Sequence, residues 1–194
     1  MRALLTLAFA FVSTAALAHG GHAEPAGLLH GFMHPLGGLD HVLAMVAVGV
    51  FAFVLGGRAL WLVPLTFVLT MAVGFWLGLA GVGLPFVELM IAASSIVIGG
   101  AAALGRSMPV AAAASLVGAF ALFHGHAHGA ELPAGGVATL YALGFIAATA
   151  LLHGAGLAAA LGGARLLQHH GRTAARIAGA GFALGGVGML AGWL

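Results

Sequence analysis

The sequence predicts an all-α integral membrane protein: a polytopic helical bundle with six transmembrane helices behind a cleavable amino-terminal leader. Three observations carry this. Of 194 residues, 62% are hydrophobic and 5% charged, whereas soluble domains carry roughly a quarter charged residues. The apolar stretches approach the twenty or so residues a helix needs to cross a hydrocarbon core of about 30 Å, and they lack the short alternation of a barrel strand. Glycine, proline and polar residues interrupt them where turns are needed.

Residues Met1 to Ala18 begin with Arg2, continue through an apolar stretch from Ala3 to Val12 and end on Ala16-Leu17-Ala18, the pattern of a signal peptide. Cleavage would start the mature chain at His19, leaving residues 19–194 as a single membrane domain. Six spans follow: Leu36 to Leu55, Ala59 to Leu79, Phe86 to Leu104, Val110 to Phe123, Val137 to Leu161 and Ile177 to Leu194. The turns between them fall at Gly56-Gly57, Gly81 to Pro85, Gly105 to Pro109, Pro133 to Gly136, and a polar Gly162 to Arg176. With the amino end translocated, the loops after the first, third and fifth spans carry Arg58, Arg106, Arg165, Arg172 and Arg176. The positive-inside rule then places these loops in the cytoplasm. Both mature ends are expected on the periplasmic side of a bacterial inner membrane. The arginines are scattered and form no patch, so nucleic acid is excluded as a partner.

Small-xxx-small spacings at Gly74/Gly78, Gly125/Gly129, Gly181/Gly185 and Gly188/Gly192 allow close helix packing. In the last span, which has no titratable companion, packing is their whole expected role.

Ionisable residues inside a membrane mark function, and here they gather in two places. The first is His34-Pro35-Leu36-Gly37-Gly38-Leu39-Asp40-His41 and the second is Phe123-His124-Gly125-His126-Ala127-His128-Gly129-Ala130-Glu131. Imidazole beside carboxylate, in a chain without cysteine, suits a divalent transition metal. In one continuous helix His34 and His41 would stand about 10 Å apart along the axis, too far for one ion. Pro35, Gly37 and Gly38 are therefore expected to break the helix before Leu39, and interrupted helices point to a transporter's binding site. Asp40 would then sit at a helix start, either binding metal or orienting an imidazole through its second nitrogen. His124, His128 and Glu131 project from one helical face. All six residues fall on the outer side, where a shared site becomes geometrically feasible.

Further candidates are weaker. His30 lies one turn before His34, and Glu88 lies at the outer start of the third span. His126 points away from the chelating face, to recruit ions or to be solvated. His19 and His22 stand at the mature amino end. His153 lies well inside the fifth span, as a relay ligand or a packing histidine. His169 and His170 read as solvated.

The H-x(5)-D-H pattern of His34 to His41 and the F-H-G-x-A-H-G-x-E pattern of Phe123 to Glu131 resemble the two signatures of HupE/UreJ nickel permeases. The likeness extends to the leader, the six spans and the placement of the motifs in the first and fourth. It implies secondary import of nickel for hydrogenase or urease maturation, with His34, Asp40, His41, His124, His128 and Glu131 needed for transport. Cobalt and zinc have overlapping ligand preferences.

The expected function is thus ATP-independent import of a divalent transition metal, Ni²⁺ foremost, with no permanently bound cofactor, no enzymatic activity, and the metal and membrane lipid as partners. The sequence contains no phosphate-binding loop. Two other classes compete: an intramembrane His/Asp zinc hydrolase, which keeps one coordination position for water, and a bis-histidine haem protein. Neither accounts for two motifs on one membrane side with a helix break in one.

Overall fold

The computed structural model describes residues 27–193, all helix and connecting turns. The expected leader and His19 and His22 lie outside the described residues. The helices are α1 (Leu28–Gly37), α2 (Leu39–Leu55), α3 (Ala59–Leu79), α4 (Val87–Leu104), α5 (Val110–Ala130), α6 (Ala138–Leu167) and α7 (Gly171–Leu190). Helices α3, α4 and α5 are long and apolar enough to cross a membrane, as is the helical run Ala138–Leu190 that contains α6 and α7. Helices α1 and α2 are long and apolar enough only when taken together, and they are bent by 88° at the break between them.

Helix α3 shows how the pattern builds the bundle. Val63, Phe67, Met71 and Phe75 are buried, while Leu65, Leu69, Val73 and Trp76 are exposed; the first set faces protein and the second faces lipid. Its moment is weak because both faces are apolar, the condition of a helix buried all round by protein and hydrocarbon. Helix α2 is the central strut. Nine of its residues from Ala44 to Val54 are buried, and it packs on α3, α4, α6 and α7.

Glycine sets the closest contacts. A Cβ on Gly74 or Gly78 of α3 would collide with the α5 backbone at Leu122 and His126, and one on Gly125 or Gly129 of α5 would collide with α3 at Met71 and Phe75. The two small-xxx-small stripes interlock, as their spacing predicts. In α7, by contrast, Gly179 and Gly186 are the residues that meet α4, while Gly181 faces open space and Gly185 faces Leu43.

Four boundaries differ from the sequence reading. The break before Leu39 is present, but His34 and Pro35 lie inside a regular helix that ends at Gly37 and is capped by Gly38, whose backbone is extended (φ −101, ψ 117). Pro35 costs only the bond its missing N–H would give to Gly31, and α1 continues just two residues beyond it. Helix α5 continues through the second motif to Ala130, because close packing against α3 offsets the low helix propensity of Gly125 and Gly129. Helix α6 runs to Leu167, six residues beyond the expected end, and α7 begins at Gly171, six residues before the expected start. The anticipated polar loop shrinks to a 3₁₀ turn at Gln168–His170, closed by Gly171, whose missing side chain lets it pack on Ala164.

The ends of the bundle differ in charge. Arg172 Nη2 donates to the Val54 carbonyl at 2.7 Å and Arg176 Nε to the Ala103 carbonyl at 2.8 Å. These are last-turn carbonyls of α2 and α4, which lack helical partners. Arg58 and Arg106 sit in the turns at the same end. Asp40, Glu88 and Glu131, the carboxylates among the described residues, lie at the opposite end with the histidine motifs.

Candidate metal-binding site

The 88° bend carries α1 across the amino-terminal end of α2. It is held there through glycine: a Cβ on Gly31 would collide with the Tyr141 carbonyl of α6, and one on Gly144 of α6 with the α1 backbone at Leu28 and Phe32. The bend folds His34 and His41 back onto the same partner. Their rings lie 5.0 and 4.8 Å from the ring of His128, and His41 also lies 4.8 Å from His124, nearly perpendicular to it. Because Gly125 and Gly129 face α3, the residues just before them, His124 and His128, face the bundle interior.

The outer rim is a carboxylate and an imidazole. Glu131, the residue capping α5, places Oε2 3.3 Å from His34 Nε2. Exposure falls along the chain of contacts: Glu131 is 52% exposed, His34 32% and His41 13% at the side chain, and His128 and His124 are fully buried. The five residues grade from water into the protein interior.

Hydrogen bonds fix which nitrogens are free. Asp40 Oδ1 accepts the His41 backbone N–H at 2.8 Å and lies 3.0 Å from His41 Nδ1. A carboxylate can only accept, so Nδ1 donates, and Nε2 of His41 is left with its lone pair, buried and without a partner. Of the two roles open to Asp40, this geometry is that of the orienting carboxylate. At His124, Ser94 Oγ donates its single proton to the Ile91 carbonyl at 2.5 Å and so accepts from His124 Nε2 at 2.9 Å. Nδ1 of His124 then carries the lone pair, and it too is buried and unpartnered. Both nitrogens of His128 are buried without partners, and its ring stacks on Phe145 at 4.9 Å. As the rings stand, no three His, Asp or Glu side chains among the described residues surround one common point; they pack face to edge against one another.

The remaining candidates divide. His30 is exposed, stacked 6.4 Å from His34 and 5.8 Å from Tyr141, as an outer extension of the cluster. Glu88 is exposed in the first turn of α4 and lines, with Asp40, a groove of about 510 Å³. His126 is not solvated: it is 8% exposed, and Nε2 donates to the Val82 carbonyl at 2.6 Å, tying α5 to the turn after α3. It faces away from the cluster. His153 is buried near the middle of α6, where its ring meets that of Phe67. His169 and His170 are exposed.

Sequence reasoning did not single out Ser94, Tyr141 or Phe145. Ser94 is one of two adjacent serines on an apolar helix, and Tyr141, the only tyrosine in the chain, lies thirteen residues along the sequence from His128, the cluster imidazole nearest to it. Tyr141 offered a signal as the chain's single tyrosine; Ser94 and Phe145 offered none, because a second serine stands beside Ser94 and Phe145 is one of twelve phenylalanines.

A model of the HupE/UreJ protein family matches residues 7–189. Protein HupE of Rhizobium leguminosarum bv. viciae is 47% identical over 190 residues, covering 96% of either chain. No solved structure matches. Two signatures brought together at one end of a helical membrane bundle, and a family match over nearly the whole length, lead to one conclusion: this chain belongs to the HupE/UreJ family.

Proposed function

We propose that the chain is a secondary permease that carries Ni²⁺ from periplasm to cytoplasm, supplying hydrogenase or urease maturation. In this reading it sits in the inner membrane with its arginine-bearing turns inside and both mature ends outside. Glu131 and His34 receive the hydrated ion, and His41, His128 and His124 replace its water with imidazole nitrogen. Asp40 holds His41 in the tautomer that presents Nε2.

The observation that carries this is the run of free, buried lone pairs on His41, His124 and His128, contributed by helices α2 and α5 and opening outward through a half-exposed carboxylate. Buried polar atoms without partners are costly in a finished core, and a cation that passes through gives them one. No ATP is needed: an inside-negative potential favours entry of a dication by about 4.6 kcal/mol per 100 mV, twice the single-charge value.

The test is uptake into proteoliposomes containing only this polypeptide, comparing nickel, cobalt, zinc and copper under an imposed potential. Nickel accumulation that follows the potential is expected. Preferred transport of another ion would overturn the cargo assignment, and absence of transport for all four would overturn the permease reading.

A further inference from the structure

We infer that His153, with Thr149 and Met71, forms a second, weaker transit site for the same cation, deeper in the bundle than the outer cluster. The inference rests on the permease reading and adds an inner step to it.

His153 is 2% exposed, and neither ring nitrogen has a hydrogen-bond partner. A histidine retained only for packing would pair at least one of them. Its neighbours arise from the antiparallel pairing of α3 and α6. Thr149 and His153 stand one turn apart on α6, and Phe67 and Met71 stand one turn apart on α3. Thr149 Oγ1 reaches Met71 Sδ at 3.7 Å, while the His153 ring meets Phe67 edge-on at 5.0 Å. The register puts an imidazole, a hydroxyl and a thioether on one buried seam.

Phe67 joins this seam to the outer cluster. Its ring also lies 5.6 Å from that of His124, so one aromatic side chain separates the innermost imidazole of the cluster from His153. His153 also lines a surface groove of about 310 Å³ between α3 and α6, which takes in lipid-facing Leu65 and, toward the arginine end, Leu60 and Pro64. Pro64 has no N–H to give to the Leu60 carbonyl, so that oxygen, one helical turn back toward the arginine end, is free of its helical partner.

The donor chemistry suits release. The outer cluster includes carboxylates, whereas this set is neutral, and fewer charged ligands hold a dication less tightly. Conduction requires sites strong enough to enter and weak enough to leave. A tight outer site followed by a weaker inner one meets that requirement.

The experiment uses full-length protein. Nickel binding to detergent-solubilised protein is measured by equilibrium dialysis, and nickel uptake in proteoliposomes, for wild type, His153→Gln and His153→Phe. The inference expects two classes of bound nickel in the wild type. Both variants should lose the weaker class, keep the tighter one and take up nickel at least about tenfold more slowly. His153→Phe restores the packing volume without the donor, so wild-type uptake by that variant would make His153 a packing residue and overturn the inference. Unchanged binding in both variants would do the same. If a variant melts well below wild type, its slow uptake counts only where the tighter class is retained; loss of both classes in both variants overturns the inference. Wild type that neither binds nor moves nickel would bring down the permease reading as well.

Discussion

Asp40 Oδ1 lies 3.0 Å from His41 Nδ1 and 2.8 Å from the His41 backbone nitrogen, so one carboxylate oxygen fixes both the position of the residue and the tautomer of its ring. Outer partners of metal-binding histidines are typically worth 10–100-fold in affinity. Asp40→Ala should therefore weaken nickel binding by roughly that factor without emptying the membrane of protein, whereas His41→Ala should abolish uptake. Dialysis and immunodetection of membrane levels check both.

Ser94 plays the corresponding part for His124. Ser94→Ala leaves the buried Nε2–H of His124 without an acceptor, at a cost of about 1–3 kcal/mol, or lets the ring change tautomer and withdraw its Nδ1 lone pair. The expected result is weaker nickel binding together with a lower melting temperature. Equal binding by the variant would remove Ser94 from the site.

Gly38 is a separate test of the Asp40–His41 pair. Its φ of −101 is open to any residue, but an added Cβ would stand 2.7 Å from Asp40 Oδ1 and 3.1 Å from His41 Nδ1. Gly38→Ala should displace the pair and slow uptake toward the level of Asp40→Ala, with the melting temperature near that of wild type. A folded variant with normal uptake would show that the pair tolerates rearrangement.

The α3–α5 seam is a matter of folding. A Cβ on Gly125 would press into the Met71 carbonyl, while one on Gly154 meets nothing within 4 Å. Overpacking typically costs 1–3 kcal/mol or more, and backbone against backbone has little room to yield. Gly125→Ala should lower the melting temperature and the membrane level sharply. Gly154→Ala should leave both unchanged.

Protons compete with metal for imidazole lone pairs, and only the neutral ring is a ligand. Nickel uptake should fall as external pH is lowered from about 8 to about 5, the range in which histidine ordinarily changes charge. Timed uptake at fixed potential across that range measures it. A flat profile would count against proton competition at the imidazoles.

The break in the first span shows how far local sequence reaches. The seven-residue spacing of His34 and His41, with Pro35, Gly37 and Gly38 between, required the helix to end before Leu39, and it does. The same reasoning began the first span at Leu36, yet a helix already runs through His34 and Pro35 from Leu28. Local propensity there is outweighed by the docking of α1 on α6 through Gly31 and Gly144, contacts more than 100 residues apart that no local pattern encodes. Similarly, glycines in the second motif and in Gly162-Gly163 read as helix ends, yet both stretches are helical because neighbouring helices supply the packing.

By itself, the sequence determined that this chain is a helical membrane bundle with arginines at one end and histidine–carboxylate motifs at the other, because hydropathy, helical periodicity and charge asymmetry are local or additive properties. Tertiary structure decided which imidazoles meet, that His126 holds a turn and not the cluster, that Ser94 and Asp40 set the tautomers, and that Phe67 links His124 to His153. Those depend on the rotation of each helix about its axis, which is fixed by glycine contacts between distant helices and cannot be read from any one of them.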